Sequence, residues 1–162
     1  MRADRVSSEF GRLGPPSSLS SDVRQKSTIN VYLNKSNAEI LQGYSGVLFD
    51  RIEYLESSDE SAAEIERGLL FLMAFWSGPA VVGFRNICRV FERDGVPDGF
   101  TFRVLNIDGV ARPLMIQLSQ LCPQIGGNAE GYWFRSRQVF ATTICTASDD
   151  RIQELIQDAG LL

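Results

Sequence analysis

The stretch LLFLMAFW at residues 69–76 carries no polar residue, and it limits the fold more than any other part of the chain. A strand with one wet face alternates polar and apolar side chains, whereas one without alternation is covered on both faces, as in the middle of a sheet carrying helices on either side. The run passes directly into Ser77, Gly78, Pro79 and Ala80. Beyond that turn Ala80, Phe84, Ile87, Cys88 and Phe91 make one apolar stripe at helical spacing, with Arg85, Asn86, Arg89, Glu92 and Arg93 facing away. The unit is a buried strand, a turn with Trp76 at its mouth and Pro79 at its bend, and a helix.

The flanking segments extend this pattern. TINVYL at 28–33 has the β-branched and aromatic content of a short strand. In 36–56, NAEILQGY is weakly helical and GVLFDRIEYLE fits either a strand or an amphipathic helix. The acidic segment 56–68 reads as a helix with Ser58 or Asp59 as N-cap, Ala62, Ala63 and Ile65 inside, and Gly68 as its stop. After the central helix, FTFRVLNI is a strand. Pro113 starts a helix whose Leu114, Leu118, Leu121 and Cys122 share a face. AEGYWFRSRQVFATTICTA is a hairpin turning at Ser136 and Arg137. Ser148 caps a last helix with the stripe Ile152, Leu155, Ile156 and Ala159, closed by Gly160.

Composition narrows the function. The chain of 162 residues has a net charge of −4 and no cluster of Lys and Arg, which argues against a nucleic-acid partner. No apolar run approaches the roughly 20 residues of a membrane span. There is no histidine, so the commonest general base and metal ligand are missing. Cys88, Cys122 and Cys145 are too widely spaced for a zinc site or a disulfide framework, and they read as reduced, buried thiols of a cytoplasmic protein. Neither a metal nor a cofactor is implied. Residues 1–27, rich in Ser, Arg, Gly and Pro, lack the core of a secretory signal, and Asp4, Glu9 and Asp22 count against a transit peptide. They are expected to form a tail, disordered or ordered by a partner, ahead of one domain over 28–162.

The order of elements over residues 69–160 resembles the thioredoxin family. Three passages carry the resemblance: AFWSGPA at 74–80 looks like the active-site turn, LNID at 105–108 like the end of the next strand, and GNAEGYWFRSRQVFAT at 127–142 like the final hairpin. It implies an α/β, thioredoxin-like three-layer sandwich with a central mixed sheet and helices on both faces. The family's chemistry needs a thiolate at a helix N-terminus and a second, resolving cysteine. Here those positions match Ser77 and Ala80. The buried acid beneath the turn matches Phe71, the helix-kinking proline matches Arg85, and the cis-proline before the hairpin matches Ala129, where a non-proline cis bond would cost about 2.5–4 kcal/mol.

The resemblance then implies a protein-binding module, such as a chaperone, assembly factor or adaptor, with no catalysis. Its expected contact residues are Trp76, Ser77, Gly78, Pro79, Ala129, Tyr132 and Trp133, flanking a groove where extended polypeptide docks. Alternation puts Tyr132 and Trp133 on opposite faces, so burial in the core stands as the alternative for either. Ser77 reads as a helix cap rather than a nucleophile, having no histidine to serve it. Two other functions remain open: a glutathione-linked or single-cysteine enzyme using Cys122 or Cys145, and self-association as a homodimer. The partner's contact could also include the N-terminal tail.

Overall fold

A computed structural model describes residues 35–58, 60–145 and 147–160. Among these, five strands form one sheet: β1 (Ile52–Leu55), β2 (Arg67–Met73), β3 (Thr101–Asn106), β4 (Gly131–Arg135) and β5 (Gln138–Thr143), in the order β1-β3-β2-β4-β5. β3 runs parallel to both its neighbours, and the hairpin β4–β5 is antiparallel, with Phe71 of β2 opposite Val104 on one side and Gly131 on the other. The helices are α1 (Asn37–Ser45), α2 (Gly78–Asp94), α3 (Arg112–Leu121) and α4 (Asp149–Gly160). This order and register make the fold a thioredoxin-like mixed α/β sandwich. The strand read at 28–33, the tail 1–27 and Asp59 lie outside the described residues.

β2 shows why. Leu69, Phe71 and Met73 point into one core with Phe84, Phe91, Phe102, Trp133 and Leu155, while Leu70 and Leu72 point into the other with Leu114, Leu118, Tyr132 and Phe134. Every residue of β2 after Arg67 is buried, so the absence of alternation in the sequence reports two covered faces. The layers are unequal. Side chains of α1, α2 and α4 join the first core, whereas α3 and a single 3-10 turn at Glu60–Ala63 cover the second.

The helix read from the acidic segment is that 3-10 turn alone, and Gly68 is the second residue of β2. A local pairing accounts for the difference. Ser58, offered as the N-cap, instead forms an isolated parallel bridge to Val110, its amide donating to the Gly109 carbonyl at 3.0 Å, so the start of the segment is held beside the turn after β3. Residues 37–45 do form a helix. Ser36 and Glu39 make a reciprocal capping box, the Glu39 amide donating to Ser36 Oγ at 3.3 Å and the Ser36 amide to Glu39 Oε2 at 2.7 Å.

α2 buries Ala80, Phe84, Ile87, Cys88 and Phe91 as its spacing predicts, together with Gly83 and Val90. Gly83 is not a defect of the helix. A Cβ there would collide with Ala129 Cβ and approach the Cys145 carbonyl at 3.3 Å, so the missing side chain lets two loops close onto the helix. Arg89 and Arg93 both reach Asp149, at 2.6 and 3.2 Å, and fasten the start of α4 to α2. In α3 Leu114 and Leu118 are buried, but Leu121 is half exposed: the helix ends there, and Cys122 takes the buried place in an extended conformation.

The cysteines divide differently from the sequence reading. Cys88 and Cys122 are buried, whereas Cys145, just past β5, is exposed. Burial, with Glu92 nearby, pushes the Cys88 thiol up to about 12, so it carries almost no thiolate at neutral pH. A maleimide reagent is expected to modify Cys145 alone in the native protein, and Cys88 and Cys122 together, only as a denaturant unfolds the domain. Native labelling of Cys88 within minutes would show that the helix register is wrong.

Candidate functional site

The site is built where β2 ends. The Ser77 amide donates to the Ala74 carbonyl at 3.0 Å, closing a tight turn that throws the Trp76 side chain outward. Ser77 is the N-cap of α2: its Oγ accepts from the Ala80 amide at 3.5 Å and donates its own proton to the Gly127 carbonyl. One hydroxyl thus ends the helix and ties it to the loop before β4. With its proton held by a carbonyl oxygen, Ser77 has no base to give it to, and no general base lies among its hydrogen-bond partners.

Trp76 is 65% exposed yet fixed at both ends of its ring. Its Nε1 donates to Asp108 Oδ2 at 3.1 Å, and Asp108 is itself placed by its amide donating to Asn106 Oδ1 at 3.2 Å. At the opposite edge the ring lies against Gly127. A Cβ on Gly127 would come within 2.9 Å of Trp76 Cη2 and 3.0 Å of Ala74 Cβ, and the residue has φ 80°, so only glycine fits.

The loop that carries Gly127 is organised by a residue the sequence reading passed over. Glu130 is fully buried, and its carboxylate accepts from the Gly126 amide at 2.6 Å and the Asn128 amide at 3.1 Å. The Asn128 carbonyl accepts from the Cys145 amide, and Ala129 follows with a trans peptide at φ 62°. Ala129 is buried against Gly83, not offered to solvent. The amides of Gly126 and Asn128 and the carbonyls of Gly127 and Asn128 are therefore already bonded within the protein. Glu130 carried no signal in the sequence beyond an acid placed next to a run of Gly and Asn.

Tyr132 and Trp133 do not join this surface. Alternation separates them as expected, but both faces of β4 are covered, so both are buried. Tyr132 enters the core under α3, its hydroxyl donating to the Leu118 carbonyl at 3.3 Å. Trp133 enters the core under α2, its Nε1 donating to Thr143 Oγ1 at 3.2 Å. Burial also drives the Tyr132 phenol well above its ordinary range. Of the sequence-selected residues, the structure brings Trp76, Gly78 and Pro79 to the exposed surface, keeps Ser77 and Ala129 beneath it, and removes Tyr132 and Trp133. The surface gains Val82, 50% exposed, and Ile144, 39% exposed, which the sequence did not single out.

No family model matches the chain, and no curated protein matches its sequence. Among solved structures it is similar to a thioredoxin from Malassezia sympodialis, described as a member of a pan-allergen family, at 19% identity over 68% of this chain and 91% of that one, with a TM-score of 0.48. A mutant thioredoxin from Halobacterium salinarum is similar at 16% identity over 70% and 94%, with a TM-score of 0.49. Thioredoxin O2 from Arabidopsis thaliana in its oxidized state is similar at 17% identity over 67% and 93%, with a TM-score of 0.48. The fold assignment rests on the sheet's own order and register.

Glu130→Gln tests the organisation of the loop. The amide keeps one acceptor and turns an NH2 toward donors, which is expected to cost about 1–3 kcal/mol in urea unfolding. Ser77→Ala, which removes the cap and the Gly127 tie, is expected to cost about 1–2 kcal/mol. Wild-type stability in both variants would contradict this assignment of the hydrogen bonds.

Proposed function

We propose that this is a non-catalytic thioredoxin-like protein that binds another protein through the exposed face of Trp76. One observation carries the reading: a large aromatic side chain stands mostly in solvent, yet it is anchored at one edge by Asp108 and at the other by Gly127. An ordered exposed aromatic loses little conformational freedom when a partner covers it, which is the basis of strong anchoring at interfaces. Pro79 and Val82, three residues apart on the first turns of α2, extend the apolar area beside it.

The chemistry at the turn supports the same reading. The N-terminus of α2 has a serine at the cap and an alanine three residues on, with Phe71 rather than an acid beneath. The serine proton is held by a carbonyl. A second reading, a single-cysteine enzyme, draws on the exposure of Cys145. Fast reaction of that thiol at pH 6, together with turnover of a disulfide or peroxide substrate, would favour it over the binding module.

The binding reading predicts no reduction of insulin disulfides above the uncatalysed rate. Partners captured from the source cell by the wild-type chain are expected to be lost with Trp76→Ala. In titration of a captured partner that substitution is expected to cost about 2 kcal/mol or more. The thermal midpoint of Trp76→Ala should stay close to wild type, because the ring contributes little to either core. Undiminished affinity in Trp76→Ala, or reductase activity in the wild type, would overturn the proposal.

A further inference from the structure

Two carboxylates give the Trp76 surface a sign. Asp108 accepts from the indole itself. Glu56, at the end of β1, lies alongside: the Ser58 amide donates to the Gly109 carbonyl at 3.0 Å, and Asn106 links the two acids, donating Nδ2 to Glu56 Oε1 at 2.9 Å while accepting the Asp108 amide. The Tyr54 hydroxyl, donated to Glu56, holds that carboxyl below the usual carboxylate range, so it is ionised at neutral pH. Every ion pair formed among the described residues involves other acids: Glu53, Glu66, Asp94, Asp149 and Glu154. Two negative charges, with no cation paired to them among the described residues, thus sit at one end of an exposed, anchored indole.

The other end of the surface is apolar. The loop Gly127–Ala129 passes from the Trp76 ring to Gly83, beside which Val82 and Pro79 are exposed, and Ile144 precedes the Cys145 carbonyl that closes onto the same glycine. Four of the loop's main-chain groups, the Gly126 and Asn128 amides and the Gly127 and Asn128 carbonyls, are spent on Glu130, Ser77 and Cys145, so few are left at 126–128 to pair an extended strand. This favours recognition through side chains. A phosphate-bearing ligand is repelled by the acidic end, and a purely apolar one leaves that end without a counter-charge.

Resting on the protein-binding reading above, we propose that this surface selects a polypeptide segment carrying arginine or lysine next to an apolar residue. The cation lies on the Trp76 face, attracted by the ring and by Asp108 and Glu56, and the apolar residue covers Pro79 and Val82. The segment is held by its side chains and needs no strand conformation.

Selection of random dodecapeptides displayed on phage, against the full chain, tests this. The wild type is expected to enrich peptides with Arg or Lys adjacent to an aliphatic or aromatic residue. A synthetic peptide from that pool should bind about fivefold or more weakly to the double variant Asp108→Asn, Glu56→Gln, as should its Arg→Gln version to the wild type. Both substitutions keep an acceptor in place, so the indole and Asn106 retain their hydrogen bonds. Raising salt from about 50 to about 300 mM should weaken the wild-type complex as well, a readout that needs no variant. Enriched peptides without a basic preference, or equal binding by wild type and the double variant, would overturn the charge selection and leave the binding surface standing. No enrichment over a Trp76→Ala control would overturn both.

Discussion

The fold depends on the burial of β2 from both sides. Its odd residues fill one core and its even residues the other, so the sheet has no wet face at its centre and each neighbouring element must supply a cover. α2 supplies most of it on one side, and it is placed by the turn at which β2 ends. The geometry of that turn therefore follows from the core. Once Met73 is buried and Ala80 must be buried as well, residues 74–79 have to reverse the chain, and the residue at the corner points into solvent. Trp76 is that residue.

An exposed indole at a corner would ordinarily move. Here two segments distant in sequence hold it, the turn after β3 through Asp108 and the loop before β4 through Gly127, and Ser77 ties that loop to the corner. The loop in turn depends on a fully buried carboxylate, Glu130, whose oxygens are occupied by backbone amides. Burying a carboxylate is costly unless its acceptor capacity is filled, so the loop and Glu130 are each a condition of the other. The Ser77 hydroxyl, the Glu130 carboxylate and the backbone groups of the loop are committed to one another.

The sequence made the centre of the fold legible because its signals are local and strong. The unbroken run at 69–76 marks β2, the stripe from Ala80 to Phe91 marks α2, and Ser136 and Arg137 mark the hairpin turn, where both residues adopt positive φ. The segment 56–68 misled because helical composition cannot report that Ser58, its candidate cap, pairs with Val110 instead. Ser36 and Glu39 did form a legible capping box, a signal that 36–56 contained but that its weak periodicity obscured. In the site, Trp76 and the cap Ser77 were legible from the turn. Tyr132 and Trp133 were misplaced because alternation separates two faces without saying whether either is open. Cys145 was misplaced because nothing in the sequence tells where β5 stops packing. Glu130 was missed because its partners are backbone amides, which every residue but proline has.

The central claim is that Trp76 is exposed and yet rigid, and the indole N–H reports on it directly. The protein has two tryptophans, and the buried Trp133 serves as an internal reference. Nitrogen relaxation of the two indole groups gives their order parameters on the picosecond–nanosecond scale. A value for Trp76 close to that of Trp133, near the ~0.85 typical of rigid groups, is the predicted result. A value below about 0.6 would mean that the ring is a mobile surface side chain, and the anchoring by Asp108 and Gly127 would be contradicted.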